Sequence, residues 1–321
     1  AIMQETLYDR LAEKCGLDRL AFRQLNALQD GDISVCGQQL NSAGISECLD
    51  ALAAPWQTAL DAAAAFNAHS TERKRGVGVA SCWYGCGNTS LPNPSTVRLG
   101  VTADGRLVLH QGATDIGQGS NTVITQICAD ALGLPVTAFE LVGPDTALTP
   151  DCGKTSASRQ TFVTGNAALA SGEALRQSIL RLANMSDAAE LTLAGGVLSA
   201  SEGGRSQIID ITRMPADEHG YVIAAEETYD PPTAPLDENG QGVPYAIYGY
   251  GAQIAEVEVD LTLGVTKVLK VTAAHDLGRV INPLLAEGQI EGGVAQGLGM
   301  ALMEEYLPGR TENLHDYLIP T

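Results

Sequence analysis

Three stretches of the chain hold residue types suited to an anionic ligand. The first is Asp115-Ile116-Gly117-Gln118-Gly119-Ser120. Two glycines flanking a glutamine leave main chain uncovered and set one amide side chain at the mouth of the helix that follows. A helix start has free N–H groups and partial positive charge, which suit a phosphate or another anionic oxygen. Taken alone, the stretch reads better as a tight strand-to-helix turn with Gln118 in solvent, since short glycine motifs recur by chance. The second is Thr155-Ser156-Ala157-Ser158-Arg159-Gln160. Four consecutive small residues at a helix start let N–H groups and hydroxyls approach a bulky anion, and Arg159 can pair with a phosphate. An ordinary Ser/Thr cap would need only one such residue. The third is Gly292-Gly293-Val294-Ala295-Gln296-Gly297-Leu298-Gly299, inside a helical run. Each glycine there costs roughly 1 kcal/mol against alanine. A close neighbour is therefore expected, and a second backbone fits as well as a flat ligand held by Gln296.

Other constellations lead nowhere. Gly153-Lys154-Thr155 invites a P-loop reading, but Leu148 stands where the motif's first glycine must be, and no strand immediately precedes it. His275-Asp276 reads as a satisfied strand-end pair. No nucleophile elbow, zincin pattern or paired-carboxylate arrangement stands out, so no catalytic acid or base is visible. Seven cysteines are present without a Cys-x-x-Cys pair, which signals neither a zinc ribbon nor an iron–sulfur site. Cys82 and Cys86 read as small buried hydrophobes in a cytoplasmic, thiol-reduced protein.

These stretches need elements to position them. Residues 1–29 read as a helix, a break at Gly16-Leu17-Asp18 and a second short helix. A loop over 31–44 precedes a helix over 46–68. The charged run 71–75 marks a boundary between a mainly helical segment, 1–75, and an α+β body, 76–321. A strand opens the body at 76–80. Strands over 97–101 and 106–110 form a hairpin around Ala103-Asp104-Gly105. A helix over 121–132, a strand over 139–142 and a long helix reaching 182 follow. A second hairpin, 252–260 with 265–274, leads through Asn282-Pro283 into a helix ending near 305. Hairpin, polar turn and helix thus occur twice, which suggests two related α+β units around one cleft. Ligand sites are commonly built where strands turn into helices.

The chain has 321 residues, enough for one large domain or two ordinary ones with ample core. A net charge of −19 argues against binding nucleic acid through its phosphates. It does not forbid a buried anionic cofactor, because local N–H groups outweigh a distant surface field. No apolar stretch approaches membrane-spanning length, and no signal-peptide pattern is present.

Taken together, Asp115-Ile116-Gly117-Gln118-Gly119, the stretch 155–160 with Thr164-Gly165-Asn166-Ala167, and Gly293-Val294-Ala295-Gln296-Gly297-Leu298-Gly299 resemble the molybdenum-cofactor subunit of the xanthine dehydrogenase/aldehyde oxidoreductase family. Tyr250-Gly251, Glu256-Val257-Glu258-Val259-Asp260, Asp276-Leu277-Gly278, Asn282-Pro283 and Asp316-Tyr317-Leu318-Ile319-Pro320-Thr321 add to the likeness, in the family's order and spacing. The resemblance implies the second of two α+β domains that grip molybdopterin, with its cytosine dinucleotide form suggested by Arg159. It implies cofactor contacts from Gly117, Gln118, Gly119 and Ser120, from Thr155, Ser156, Ala157, Ser158, Arg159 and Gln160, and from Gln296. No side chain here need ligate molybdenum, which the pterin itself holds.

The implied reaction hydroxylates an N-heterocycle or an aldehyde with water as the oxygen source. Electrons would leave to 2Fe-2S clusters and FAD on other domains or subunits, and the complex could be a homodimer. The chain is expected to start just after the family's Arg-Gly-x-Gly-x-Pro-Gln segment and to stop before its catalytic glutamate, and so to be inactive alone. The first half of the molybdenum subunit is then a required partner. Asn88, with Thr89 beside it, stands in a substrate-pocket stretch where purine oxidases carry a ring-stacking aromatic. A nucleotide-binding module without molybdenum and a structural or assembly partner are the rival readings.

Overall fold

The alternating apolar residues at 97–101 and 107–109 pack as one face of a hairpin in the computed structural model, which describes residues 2–88 and 92–317. In chain order the first elements are α1 (Ile2–Lys14), α2 (Arg19–Leu25), α3 (Ile45–Ala51), α4 (Ala53–His69), β1 (Arg73–Gly85), β2 (Ser95–Thr102), β3 (Leu107–Gln111) and α5 (Ser120–Leu132). Next come β4 (Phe139–Val142), α6 (Gly165–Ala183), β5 (Glu190–Ala194), β6 (Val197–Glu202), β7 (Arg205–Asp210) and β8 (Tyr221–Tyr229). The chain then forms β9 (Tyr248–Asp260), β10 (Val265–Asp276) and α7 (Pro283–Leu302). They gather into two units, one of Ala1–Tyr84 with Tyr248–Thr321 and one of Gly85–Ile247. The boundary expected at 75/76 falls inside β1.

The first unit has the sheet β1-β9-β10 and the four N-terminal helices. Its core joins Leu20, Leu49, Leu52 and Trp56 to Val79, Tyr250, Ala252 and Ile254. The break expected near Asp18 is a side-chain cap. Its carboxylate accepts from the Leu20 and Ala21 N–H groups at 2.8 and 3.0 Å and from Trp56 Nε1 at 2.9 Å. The single helix expected over 46–68 is two helices that meet at Leu52. Pro55 explains the difference: it has no N–H to give to Ala51 and is tolerated only in the first turn of a new helix.

The second unit is built on the sheet β4-β3-β2-β8. β2 pairs antiparallel with β3, from Val97 opposite Gln111 to Val101 opposite Leu107. β3 pairs parallel with β4, so α5 is the crossover between them. Val97, Leu99, Val101, Leu107 and Leu109 share one buried cluster with Ile124, Cys128 and Leu132 of α5 and Leu175 and Ile179 of α6. Period 2 in the strands and period near 3.6 in the helices produce that shared face. β5, β6 and β7 form a separate antiparallel meander. Among the described residues no helix is long and apolar enough to cross a membrane.

Two consequences can be measured. A side chain at Gly172 of α6 would put its Cβ 2.7 Å from Ala131 Cβ and 3.2 Å from the Cys128 carbonyl of α5. Gly172→Ala should therefore lower stability by about 1–3 kcal/mol in urea unfolding, as overpacking does. His110 is buried, bonds Tyr221 through Nε2 and has no partner at Nδ1. Burial, with the Arg98 cation adding to it, lowers its pKa. The unfolded chain then takes up the proton first. This contribution to stability is complete above the ordinary value near ~6.5 and is lost as pH falls from there through the depressed value. His110→Gln should flatten that limb in urea midpoints measured between about pH 8 and 5.

Candidate anion-binding site

α5 begins at the C-terminal end of β3, where the Asp115–Ser120 stretch makes the turn. Gly117 and Gly119 hold φ of +109° and +82°, a region that glycine enters without penalty. Asp115 is the cap of this turn. Its Oδ1 accepts from the N–H groups of Gly117 at 2.9 Å and Gly119 at 3.3 Å, and its Oδ2 from Asn121 at 3.1 Å. Burial pushes the Asp115 carboxyl up, but these three donors together hold it below the usual carboxylate range. The helix mouth is thus less free than the sequence suggests. Among the described residues, the N–H groups of Gln118, Ser120 and Thr122 stay without a hydrogen bond. So does the Ser120 hydroxyl, on a residue only 4% exposed.

Gln118 does not reach outward. Its Oε1 accepts from the Ile116 N–H at 2.7 Å and its Nε2 donates to the Thr114 carbonyl at 3.2 Å. The amide expected to meet a ligand closes its own turn instead, because a side chain two residues from an unpaired N–H is the nearest available acceptor.

The second stretch comes to the same place. Thr155 Oγ1 donates to the Thr114 carbonyl at 2.8 Å, so that one oxygen ties residues 155–160 to the turn before α5. Gln160 is buried and donates from Nε2 to the Lys154 carbonyl and to Thr155 Oγ1, both at 3.2 Å. Ala157 and Ser158 hold φ of +56° and +54° in succession. Left-handed backbone costs a residue with a Cβ roughly 1–2 kcal/mol. Such strain persists only where the surroundings over-determine it, and it clusters at ligand clamps. Here the Ala157 carbonyl accepts from the Gly87 N–H at 2.8 Å. Among the described residues, the N–H groups of Thr155, Ser156, Ala157, Ser158 and Arg159 donate to nothing. A run of unpaired N–H groups in such a turn forms an anion-binding concavity. A one-turn π-helix, Gln160–Thr164, then leads into α6. Helical insertions of this kind recur at functional sites.

Arg159, expected to pair with a phosphate, is turned into the protein. It is 1% exposed, and its guanidinium is fully engaged by protein oxygens. Nε donates to Asn93 Oδ1 at 2.5 Å, and one terminal nitrogen donates to the Cys152 and Lys154 carbonyls. The other donates to the Asn93 carbonyl at 2.9 Å, the Pro94 carbonyl at 2.8 Å and Ser95 Oγ at 3.1 Å. Asn88 joins this network through Nδ2, 3.2 Å from Asn93 Oδ1. Thr89 lies outside the described residues, as do 318–321 of the C-terminal motif. Sequence reasoning missed Asn93, 4% exposed and common to Asn88 and Arg159; Asn93-Pro94 reads as a turn and carries no further mark.

Gln296 lies on α7, in the other unit. It is exposed, and its amide makes no hydrogen bond among the described residues. A Cβ added at Gly288, Gly292, Gly293 or Gly297 would meet nothing within 4 Å. The close neighbour expected at these glycines is therefore not supplied by the described residues. No three His, Cys, Asp or Glu side chains among those residues gather where they could hold a metal ion.

Comparison with known proteins gives one consistent result. Residues 51–321 match the molybdopterin cofactor-binding domain family. The xanthine dehydrogenase molybdenum-binding subunit of Escherichia coli O157:H7 is 31% identical over 99% of this chain and 43% of its own length. The aldehyde oxidoreductase of Megalodesulfovibrio gigas is 32% identical over 94% of this chain and 31% of its own. Among solved structures, the aldehyde oxidoreductase from Desulfovibrio desulfuricans superposes with a TM-score of 0.79 at 30% identity, over 94% of this chain and 31% of that one. The chain thus spans less than half the length of these curated relatives.

The Asp115 cap can be tested directly. Asp115→Ala removes the acceptor of three N–H groups and should cost about 1–2 kcal/mol in urea unfolding, at the upper end for a helix cap. Because its folded pKa is depressed, the contribution should be present above the ordinary carboxylate value and lost as pH falls through the folded one. An unfolding curve of the variant that matches the parent at neutral pH would refute this role.

Proposed function

The chain belongs to the molybdopterin cofactor-binding domain family, and on that premise we propose that it forms part of the cofactor site of a molybdenum hydroxylase. One observation carries the reading: the strained loop at 155–159 has unpaired N–H groups and is tied through Thr155 to Thr114, at the start of the turn that ends in the buried, unpaired Ser120 hydroxyl. These are donors without acceptors, which suits an anionic, oxygen-rich ligand. The open space over Gly117 gives a bulky group access to the turn.

In this proposal the N–H groups of Thr155, Ser156, Ala157, Ser158 and Arg159 and the hydroxyls of Ser156, Ser158 and Ser120 hold the phosphate end of a molybdopterin, while the Thr155 hydroxyl ties the loop to Thr114. Gln118 and Gln160 keep the two loops in shape. Gly117 and Gly119 leave the turn uncovered. Gln296 is a cofactor contact of the other unit. The cytosine dinucleotide form is proposed for the cofactor on the strength of the long run of donors, and no longer on Arg159. When bound, molybdenum supplies the two-electron redox chemistry by which a substrate carbon gains oxygen from water. The residues of this chain bind and orient the cofactor. The substrate is proposed to be an N-heterocycle or an aldehyde, with Asn88 near its pocket and fixed there by Asn93.

The remaining machinery is placed elsewhere in the same proposal. Electrons would pass to 2Fe-2S and FAD centres on other domains or subunits, and the first half of the molybdenum subunit would complete the site. The whole would be a cytoplasmic complex, as a homodimer of assembled subunits.

The test is metal analysis with pterin extraction from the full subunit purified with its partners. Stoichiometric molybdenum and pterin are expected, and Ser120→Ala and Thr155→Val should each lower pterin per protein by up to about tenfold, the scale of one buried hydrogen bond. A nucleotide without pterin, or neither, would contradict the proposal.

A further inference from the structure

We propose that Arg159 is a positioning residue for the phosphate of the bound cofactor, which it never touches. The inference rests on the cofactor reading above and adds a residue to it. An arginine in such a loop would ordinarily be taken as the anion's direct partner. Here every donor of the guanidinium faces inward: to Asn93 at side chain and carbonyl, to the carbonyls of Cys152, Lys154 and Pro94, and to Ser95 Oγ. Among the described residues no carboxylate hydrogen-bonds it. Asp151 is engaged by the Gly153 N–H at 2.7 Å, and Asp230 by the Asn93 N–H at 3.2 Å. Asp151 and Asp230 favour its charge without hydrogen-bonding it, and burial outweighs them; burying a guanidinium so is expensive, and a loop with only a structural task could be held by uncharged groups.

What the arrangement achieves is specific to the loop. The carbonyls of Cys152 and Lys154 lie just before the left-handed pair Ala157 and Ser158, and those of Asn93 and Pro94 lie in a distant segment. One rigid planar fork gathers both into one place. That pins both ends of the short turn, so residues 155–158 keep their N–H groups turned away from the carbonyls Arg159 has collected. The anion meets donors already in position, which removes the ordering cost of binding. Gly153 confirms how tightly the fork is seated: a Cβ there would lie 2.7 Å from its nearer terminal nitrogen. Lysine cannot replace it, since three donors on one atom cannot span acceptors on two segments.

The test uses the full molybdenum subunit, purified with its partners, carrying Arg159→Lys or the milder Asn93→Ser. Three quantities are read: pterin retained during dialysis, the ³¹P resonance of the phosphate still bound, and the unfolding midpoint. Arg159→Lys should speed pterin loss about tenfold or more, the scale of unmade buried hydrogen bonds, and Asn93→Ser should do so to a smaller degree. The ³¹P resonance of the retained fraction should move in both, which a loss of stability alone would not cause. Retention and resonance unchanged from the parent would overturn the inference, whatever the unfolding midpoint does. A parent subunit that itself carries no pterin phosphate would instead overturn the cofactor reading, and this inference with it.

Discussion

Backbone N–H groups without a protein acceptor are the constraint on which the second unit depends. Buried and half-buried donors are normally paired, and a consecutive set left open is unstable unless something holds the chain there. Thr155, Ser156, Ala157, Ser158 and Arg159 make up a consecutive open set, with Thr155 and Ala157 half-buried, Arg159 buried, and Ser156 and Ser158 exposed. The loop cannot relax into a helix early, because Ala157 and Ser158 are left-handed and the regular helix starts only after a π-turn. It cannot swing out, because Thr155 is fastened to Thr114 and Ala157 to Gly87. The fold therefore maintains a donor surface that it does not itself satisfy.

Two turns share that task by different means. Before α5, a carboxylate from the chain takes three of the available N–H groups, and the Ser120 hydroxyl and a few N–H groups remain. In the loop at 155–159 no carboxylate among the described residues intrudes; Arg159 has no acceptor to offer, and the Gln160 Oε1 already accepts from Thr164 Oγ1. More N–H groups are thus left unpaired in the loop than at the helix mouth, although the sequence motif at the mouth is the more conspicuous. Thr114 connects the two, so movement of one would be felt by the other.

Much of the frame was legible because it follows local rules. Period 2 marks Val97, Leu99 and Val101, Asp104-Gly105 marks their hairpin, and Asp18 marks the restart of a helix. The family likeness also rests on short local motifs, and residues 51–321 do match the molybdopterin cofactor-binding domain family. What was not legible is where side chains turn. Gln118 bends back on its own turn, and Arg159 faces acceptors 64 to 66 positions earlier. No spacing rule reports a partner so distant. The split at Leu52 was legible in principle, since Pro55 bars a continuous helix. The glycines of α7 are a different case: their low helix propensity is plain in the sequence, but among the described residues nothing lies within 4 Å of a Cβ added at Gly288, Gly292, Gly293 or Gly297, and only Gly299 is buried.

The central claim is that the loop's unpaired N–H groups are where the cofactor's anionic end is held. Hydrogen–deuterium exchange on the full subunit, with cofactor bound and after its removal, addresses it most directly. Bound cofactor should slow exchange at Ser156, Ala157, Ser158 and Arg159 and at Ser120, and leave Gly117 and Gly119 unchanged, since Asp115 already occupies them. Exchange at residues 156–159 that is equally fast with and without cofactor would contradict the account.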